Sequence, residues 1–266
     1  MYNKKECIST RKAIVSKTAF IDGLTRLPSR IFISMNVQIN GQASLGEDLI
    51  IEPNVIIYGP VEIGAGSYIG PNSVIGFPTK EKLQTIISEK GAKMKPSKGK
   101  ITRVGKNSVI RSNCVIYSNV KIGNNVSFGH NVMIRESVNF GENSLIGTNT
   151  VVDGSSKIGR SVSIQTGVYI STYSTIEDCV FLGPRCMLLN DRYVMQREFK
   201  LIGPTICKGA SVGANATVFP GVTVGRGAIV GAGAIVLDDV PSRTIVVGNP
   251  ASKLRDVPSD WKIQLK

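Results

Sequence analysis

From Val104 onward, every sixth residue is large and apolar: Val104, Ile110, Ile116, Ile122, Phe128, Ile134, Phe140, Ile146, Val152, Ile158, Ile164, Ile170, Ile176, Leu182 and Leu188. The frame returns at Ile206, Val212, Val218, Val224, Val230 and Val236, and a second frame runs upstream through Ile33, Ile39, Leu45, Ile51, Ile57, Ile63, Ile69 and Ile75. A period of six excludes an amphipathic α-helix, which repeats every 3.6 residues. A short strand plus a tight turn can repeat at six. Three such units close a triangular coil of eighteen residues, and coils stack at roughly the 4.8 Å strand spacing. Four residues after each large one stands a small or β-branched one, as at Ser108, Cys114, Val120, Val126 and Val132. Glycine often follows the large residue directly, as at Gly123, Gly129, Gly147 and Gly159, and glycine or asparagine is expected to permit the turn.

The period predicts one all-β domain, a parallel β-helix of about nine or ten triangular coils over residues 33–240, after a non-repeat segment 1–32. Two extruded segments interrupt it. The insert 76–103 changes the frame, and "EKLQTIISEK" within it reads as a short helix. The loop 190–205, "NDRYVMQREFKLIGPT", breaks the run but restores the frame. Insertions of this kind become loops on one face of a solenoid, often the binding face. In the tail 241–266, "PASKLRDV" reads as a short C-terminal helix on the last coil.

Composition narrows the function. The net charge is +13, and the interval Phe77–Arg103 alone holds eight basic residues against Glu81 and Glu89. Such a segment suits anionic ligands or a solvated loop; with no aromatic interleaving or nucleic-acid motif beside it, nucleic acid is not expected. No apolar run is long enough to span a membrane and no signal-peptide core is present, so the expected location is cytoplasmic. The five cysteines form no CxxC pair, and Cys114 and Cys186 fall at small inward positions as buried thiols.

One histidine, His130 in "SFGHNVMIRE", occurs in 266 residues. Residues eighteen apart stack, so His130 lies above Ser112 and below Thr148, Thr166 and Pro184. Two positions after inward Phe128, it stands at a turn and faces outward. A functional site there is an external groove that a neighbouring subunit would roof.

The hexad pattern resembles the hexapeptide-repeat acyltransferases, whose coils wind left-handed against the usual rule for parallel crossovers. Phe128-Gly129-His130-Asn131 resembles the segment of UDP-N-acetylglucosamine acyltransferases that carries the general-base histidine, which is followed there by Asp and here by Asn131. Over 157–251, "IQTGVYI", "IEDCVFLGP", "LND", "GPTICKGASVGANATVFPGVTVG" and "VVGNPAS" look like the nucleotide-amino-sugar N-acetyltransferases. The resemblance implies a homotrimer that uses acetyl-CoA as acyl donor and a nucleotide-linked amino sugar as acceptor, with no metal required. It implies His130 and Asn131 as catalytic residues. Gln165, Asn190, Asp191 and Arg192 are candidate substrate ligands, Arg192 for a diphosphate. Gly147 is a candidate oxyanion donor, and Gly213, Ala214, Ala232, Arg243 and Lys253 are candidates for holding CoA. A sugar O-acetyltransferase and a non-catalytic β-helix scaffold remain alternatives. A three-histidine zinc enzyme of this fold does not match one histidine per chain.

Overall fold

A computed structural model describes residues 12–88 and 100–262. Strands of two to five residues form three sheets of thirteen, eleven and nine strands, here faces A, B and C of a triangular column. Every pairing is parallel except the last, where Thr244–Val247 meets Ser252–Asp256. Twelve parallel strands on face A make about twelve turns. The register is eighteen residues per turn wherever the chain is uninterrupted, as in Val109↔Ser127, Ser127↔Leu145 and Leu145↔Ser163.

The hexad residues form one continuous core. Phe128, Ile134, Ile146, Ile164 and Leu188 are all buried, and Phe128 packs edge-on to Phe140 with ring centroids 5.9 Å apart. Each such side chain contributes about 1.5–3 kcal/mol of burial. Small hydroxyls between them are satisfied by the next coil, as when Ser144 Oγ donates to the Gly159 carbonyl at 3.3 Å.

Turns fall three residues after each large apolar residue, in the left-handed region. Asn113, Asn119, Asn125, Asn131, Asn143 and Asn149 all have φ between 54° and 63°. Asparagine tolerates this conformation better than other residues with a Cβ. Its amide also joins neighbouring turns, as from Asn131 Nδ2 to Asn149 Oδ1 at 3.2 Å. The glycines after the large residues serve another purpose than the expected one. Gly129 and Gly147 do not have positive φ; a Cβ at Gly147 would lie 2.4 Å from the Gln165 carbonyl carbon. They are required by the close approach of successive coils.

Three boundaries differ from the sequence expectation. The coils begin before residue 33: Ile14–Val15 and Phe20–Ile21 already pair with the next turn. The hexad extends back through Leu27, Ile21 and Val15, so there are about twelve turns and not nine or ten. At the other end, Thr244–Val247 still pairs in parallel with Ile229–Val230, inside the segment read as tail. The expected C-terminal helix at "PASKLRDV" is instead an antiparallel strand. The expected helix within the insert is present at Lys80–Ser88.

Candidate active site

Successive turns on the edge between faces A and B are joined by backbone bonds that fix a column. Asn131 N–H donates to the Ser112 carbonyl, Asn149 to His130, Gly167 to Thr148, Arg185 to Thr166, Asn215 to Pro184 and Gly233 to Ala214. Ser112, His130, Thr148, Thr166, Pro184, Ala214 and Ala232 therefore stand in line along one edge. His130 is exposed, as its offset from Phe128 required.

The His130 backbone is held on both sides. Its N–H donates to Thr148 Oγ1 at 3.2 Å, and its carbonyl accepts from Asn149 N–H at 2.9 Å. The ring is held from below, with Nδ1 2.6 Å from Ser112 Oγ. Arg111 supplies the nearby cation of the lower coil and donates to the Phe128 carbonyl at 3.0 Å. Asn131 sits in the turn ladder, its amide bonded to Asn149 and not to the imidazole.

Gly147 N–H already donates to the Ile164 carbonyl, and Gly213 N–H to Val230, both at 2.8 Å. Neither amide is free to face a ligand, which removes Gly147 as an oxyanion donor. Ala214 and Ala232 differ: among the described residues, no backbone carbonyl accepts their N–H. Both keep some exposure and lie above His130 on its own edge. Gln165 lies one position before this column, and its amide donates to Ser163 Oγ at 2.9 Å.

The other candidates lie elsewhere. The loop 190–205 leaves after Met187–Leu188 on face B and returns at Thr205–Ile206 on face C. It therefore emerges from the B–C edge, not beside His130. Asp191 caps its own loop by accepting from Tyr193 and Met195 N–H, both at 2.9 Å. Asn190 donates to the Thr172 carbonyl at 3.4 Å and Arg192 to Leu237 at 3.3 Å. Arg197 covers the Tyr193 ring at 3.7 Å, and Tyr193 packs edge-on to Phe199. An open depression beside this stem is lined by Asn190, Asp191, Met195, Arg197, Phe199 and Lys200. Arg243 clamps the tail instead of facing a ligand, donating to the Val257 and Pro258 carbonyls at 3.2 and 2.7 Å. Lys253 pairs with Asp256 at 2.7 Å on the exposed closing strand. Cys114 and Cys186 are buried, and burial pushes the Cys186 thiol up to about 12, so neither suits nucleophilic work.

Family comparisons agree with this architecture. The profile "Bacterial transferase hexapeptide (six repeats)" matches residues 42–76 and 101–136. "Hexapeptide repeat of succinyl-transferase" matches 119–154, 141–172 and 205–238. Together they span more than half of the chain. The chain belongs to the hexapeptide-repeat transferase family. Among solved structures, it is similar to UDP-N-acetylglucosamine acyltransferase from Campylobacter jejuni, at 15% identity and TM-score 0.48, covering 84% of this chain and 73% of that one. The corresponding O-acyltransferase from Moraxella catarrhalis gives 16% and 0.42, covering 95% and 78%. A mutant of GDP-perosamine N-acetyl transferase from Caulobacter crescentus, in complex with CoA and GDP-perosamine, gives 22% and 0.32, covering 72% and 70%. No curated protein matches the chain.

In this hexapeptide-repeat transferase, the sequence reading leaves out the hydroxyls that hold His130 on the A–B edge. Ser112 was named as a stacking neighbour and given no role, and the Thr148 hydroxyl was given none. Counting by eighteen places both beside the histidine, but only coordinates show which way a hydroxyl points.

Proposed function

We propose that this hexapeptide transferase moves an acyl group, acetyl from acetyl-CoA, to an amino group on a nucleotide-linked sugar, with His130 as general base. One observation carries the reading: the single imidazole is exposed on an edge whose upper turns present small residues with unused amide N–H groups at Ala214 and Ala232. Those amides suit the amide and phosphate oxygens of an extended acyl donor. The charge of +13 favours capture of two anionic substrates.

The amine nitrogen attacks the thioester carbonyl carbon. The N–C bond forms as His130 Nε2 takes the amine proton. The C–S bond then breaks, and the imidazolium returns that proton to the departing thiolate. In this reading the reaction is cytoplasmic.

The working unit is a homotrimer in this reading. Outward side chains of faces A and B are largely apolar, as at Ile50, Leu145 and Phe181 on A and Val115, Met133 and Met187 on B. Those of face C are polar or charged, as at Glu62, Arg103, Lys121 and Lys157. Face A of one copy against face B of the next is a heterologous contact, which closes into a three-membered ring when successive copies are related by a rotation of about 120°. Such a ring would let the Asn190–Arg192 segment of one copy approach the His130 edge of another. Light scattering giving a monomer mass would remove it.

The decisive assay follows acetyl-CoA consumption against a panel of UDP- and dTDP-linked amino sugars. Turnover with one of them, lost by about 100-fold or more in His130→Ala, supports the reading. A loss under about threefold takes His130 out of the mechanism.

A further inference from the structure

We propose that Ser112 is the positioning residue of His130, holding the ring in the tautomer whose Nε2 is free to accept a proton. This rests on His130 acting as the base. The imidazole needs a hydrogen-bond partner at Nδ1 to fix its plane and its tautomer. Asn131, the next residue in sequence, cannot serve, because the left-handed turn directs its amide to Asn149. The partner comes from the coil below, where Ser112 Oγ lies 2.6 Å from Nδ1.

The backbone around the contact is already tied to the neighbouring turns. His130 N–H and carbonyl are bound to Thr148 and Asn149 above, and Asn131 N–H is bound to the Ser112 carbonyl below. Only the ring torsions remain free, and the Ser112 hydroxyl fixes them. A hydroxyl can donate or accept. In the proposed tautomer Nδ1–H donates to Ser112 Oγ, and the serine proton turns to solvent. A neutral partner has a chemical consequence that a carboxylate would not share. It orients the ring and stabilises the imidazolium less than a carboxylate would, so the proton taken from the amine passes on more readily to the departing thiolate.

The test exploits the single histidine, whose two ring nitrogens give the only imidazole signals in nitrogen NMR of the labelled chain. At a pH where the ring is neutral, the wild type should show Nδ1 protonated and Nε2 bare. Ser112→Ala should move the ring towards the Nε2–H form, and Ser112→Thr, which keeps the hydroxyl, should hold it. In turnover, Ser112→Ala should lower kcat roughly ten- to a hundredfold with little change in KM, and Ser112→Thr should restore most of it. A wild-type ring protonated at Nε2, or equal tautomer populations in wild type and Ser112→Ala, overturns the proposal. If His130→Ala keeps full turnover, the base reading falls, and the nitrogen signals still decide the Ser112 contact. If His130→Ala is inactive while Ser112→Ala changes neither tautomer nor kcat, only the role of Ser112 falls.

Discussion

The A–B and B–C edges of the column obey the same eighteen-residue rule and are built for different work. On the A–B edge the described turns stack without an insertion, so each side chain is placed by the coils above and below it. His130 is clamped by three hydrogen bonds to its neighbouring turns. On the B–C edge the rhythm is broken twice, by the segment between Val74–Phe77 and Thr102–Val104 and by the loop after Leu188. There the side chains hold one another, as Arg197, Tyr193 and Phe199 do. One edge is precise and bare; the other is elaborate and remote from the histidine in its own chain. Chemistry that needs both has to bring two copies together.

The strongest test of the precise edge removes its foundation. Phe128 is fully buried under the His130 turn, and Phe128→Ala should cost about 3–5 kcal/mol, read as a fall in the denaturation midpoint. Activity should fall with it. Next comes His130→Ala, which should leave that midpoint unchanged and lower kcat about 100-fold or more. A pair of glycine replacements then compares the edges directly. In Gly147→Ala the new Cβ meets Gln165 and Thr166 backbone at 2.4 Å, so about 1–3 kcal/mol of overpacking is expected. In Gly154→Ala, on the B–C edge, the nearest atom is the Glu136 carbonyl oxygen at 3.0 Å, and the cost should be clearly smaller. Equal midpoints for the two variants would erase the distinction between the edges.

Loop removal tests the elaborate edge. The register shifts from eighteen to thirty residues between Lys157↔Thr175 and Thr175↔Thr205, so deleting residues 191–202 restores the hexad. The shortened chain should fold with a similar midpoint, because the loop contributes no residue to the core cluster. Its KM for the nucleotide-sugar should rise about tenfold, since Arg192 leaves with the loop. Unchanged KM would strip the loop of any part in binding.

These two edges also differ in how far sequence alone describes them. The hexad names the core and the left-handed Asn turns because one steric rule governs each position. It names His130 as outward for the same reason. Counting by eighteen also sorts the insertions by edge: Leu188 follows Ile134 by three full turns, so the loop belongs to the B–C edge. The family resemblance makes Asn190, Asp191 and Arg192 substrate ligands, and the register puts them on a different edge from His130 of the same chain. Contacts between side chains were beyond such counting. Nothing in the one-dimensional pattern says that Ser112 Oγ meets Nδ1, that Arg243 turns to the Val257 and Pro258 carbonyls, or that Gly147 N–H is already bound. The C-terminal strand was misread because local propensity over eight residues cannot register Val246 pairing back onto Lys253.

The smallest expected effect lies on face B between the two edges, where Tyr169 Oη donates to Asp153 Oδ2 at 2.6 Å. Burial first, and then this bond and the Asp153 charge, push the phenol from 10.0 up to about 12. The folded chain thus holds the phenolic proton more tightly than the unfolded one. The contribution is complete below the unfolded value near 10.0 and is lost as pH rises from there through about 12. Tyr169→Phe should cost about 1–2 kcal/mol at neutral pH, the lower part of the range for a bond to a charged group because the pair is partly exposed. It should also flatten the alkaline fall of the unfolding midpoint between those two values, while leaving kcat intact because the pair sits away from the His130 column. A variant with the wild-type alkaline slope would show that this bond adds nothing to the face, and a variant with reduced kcat would extend the precise edge further round the column than its stacked turns require.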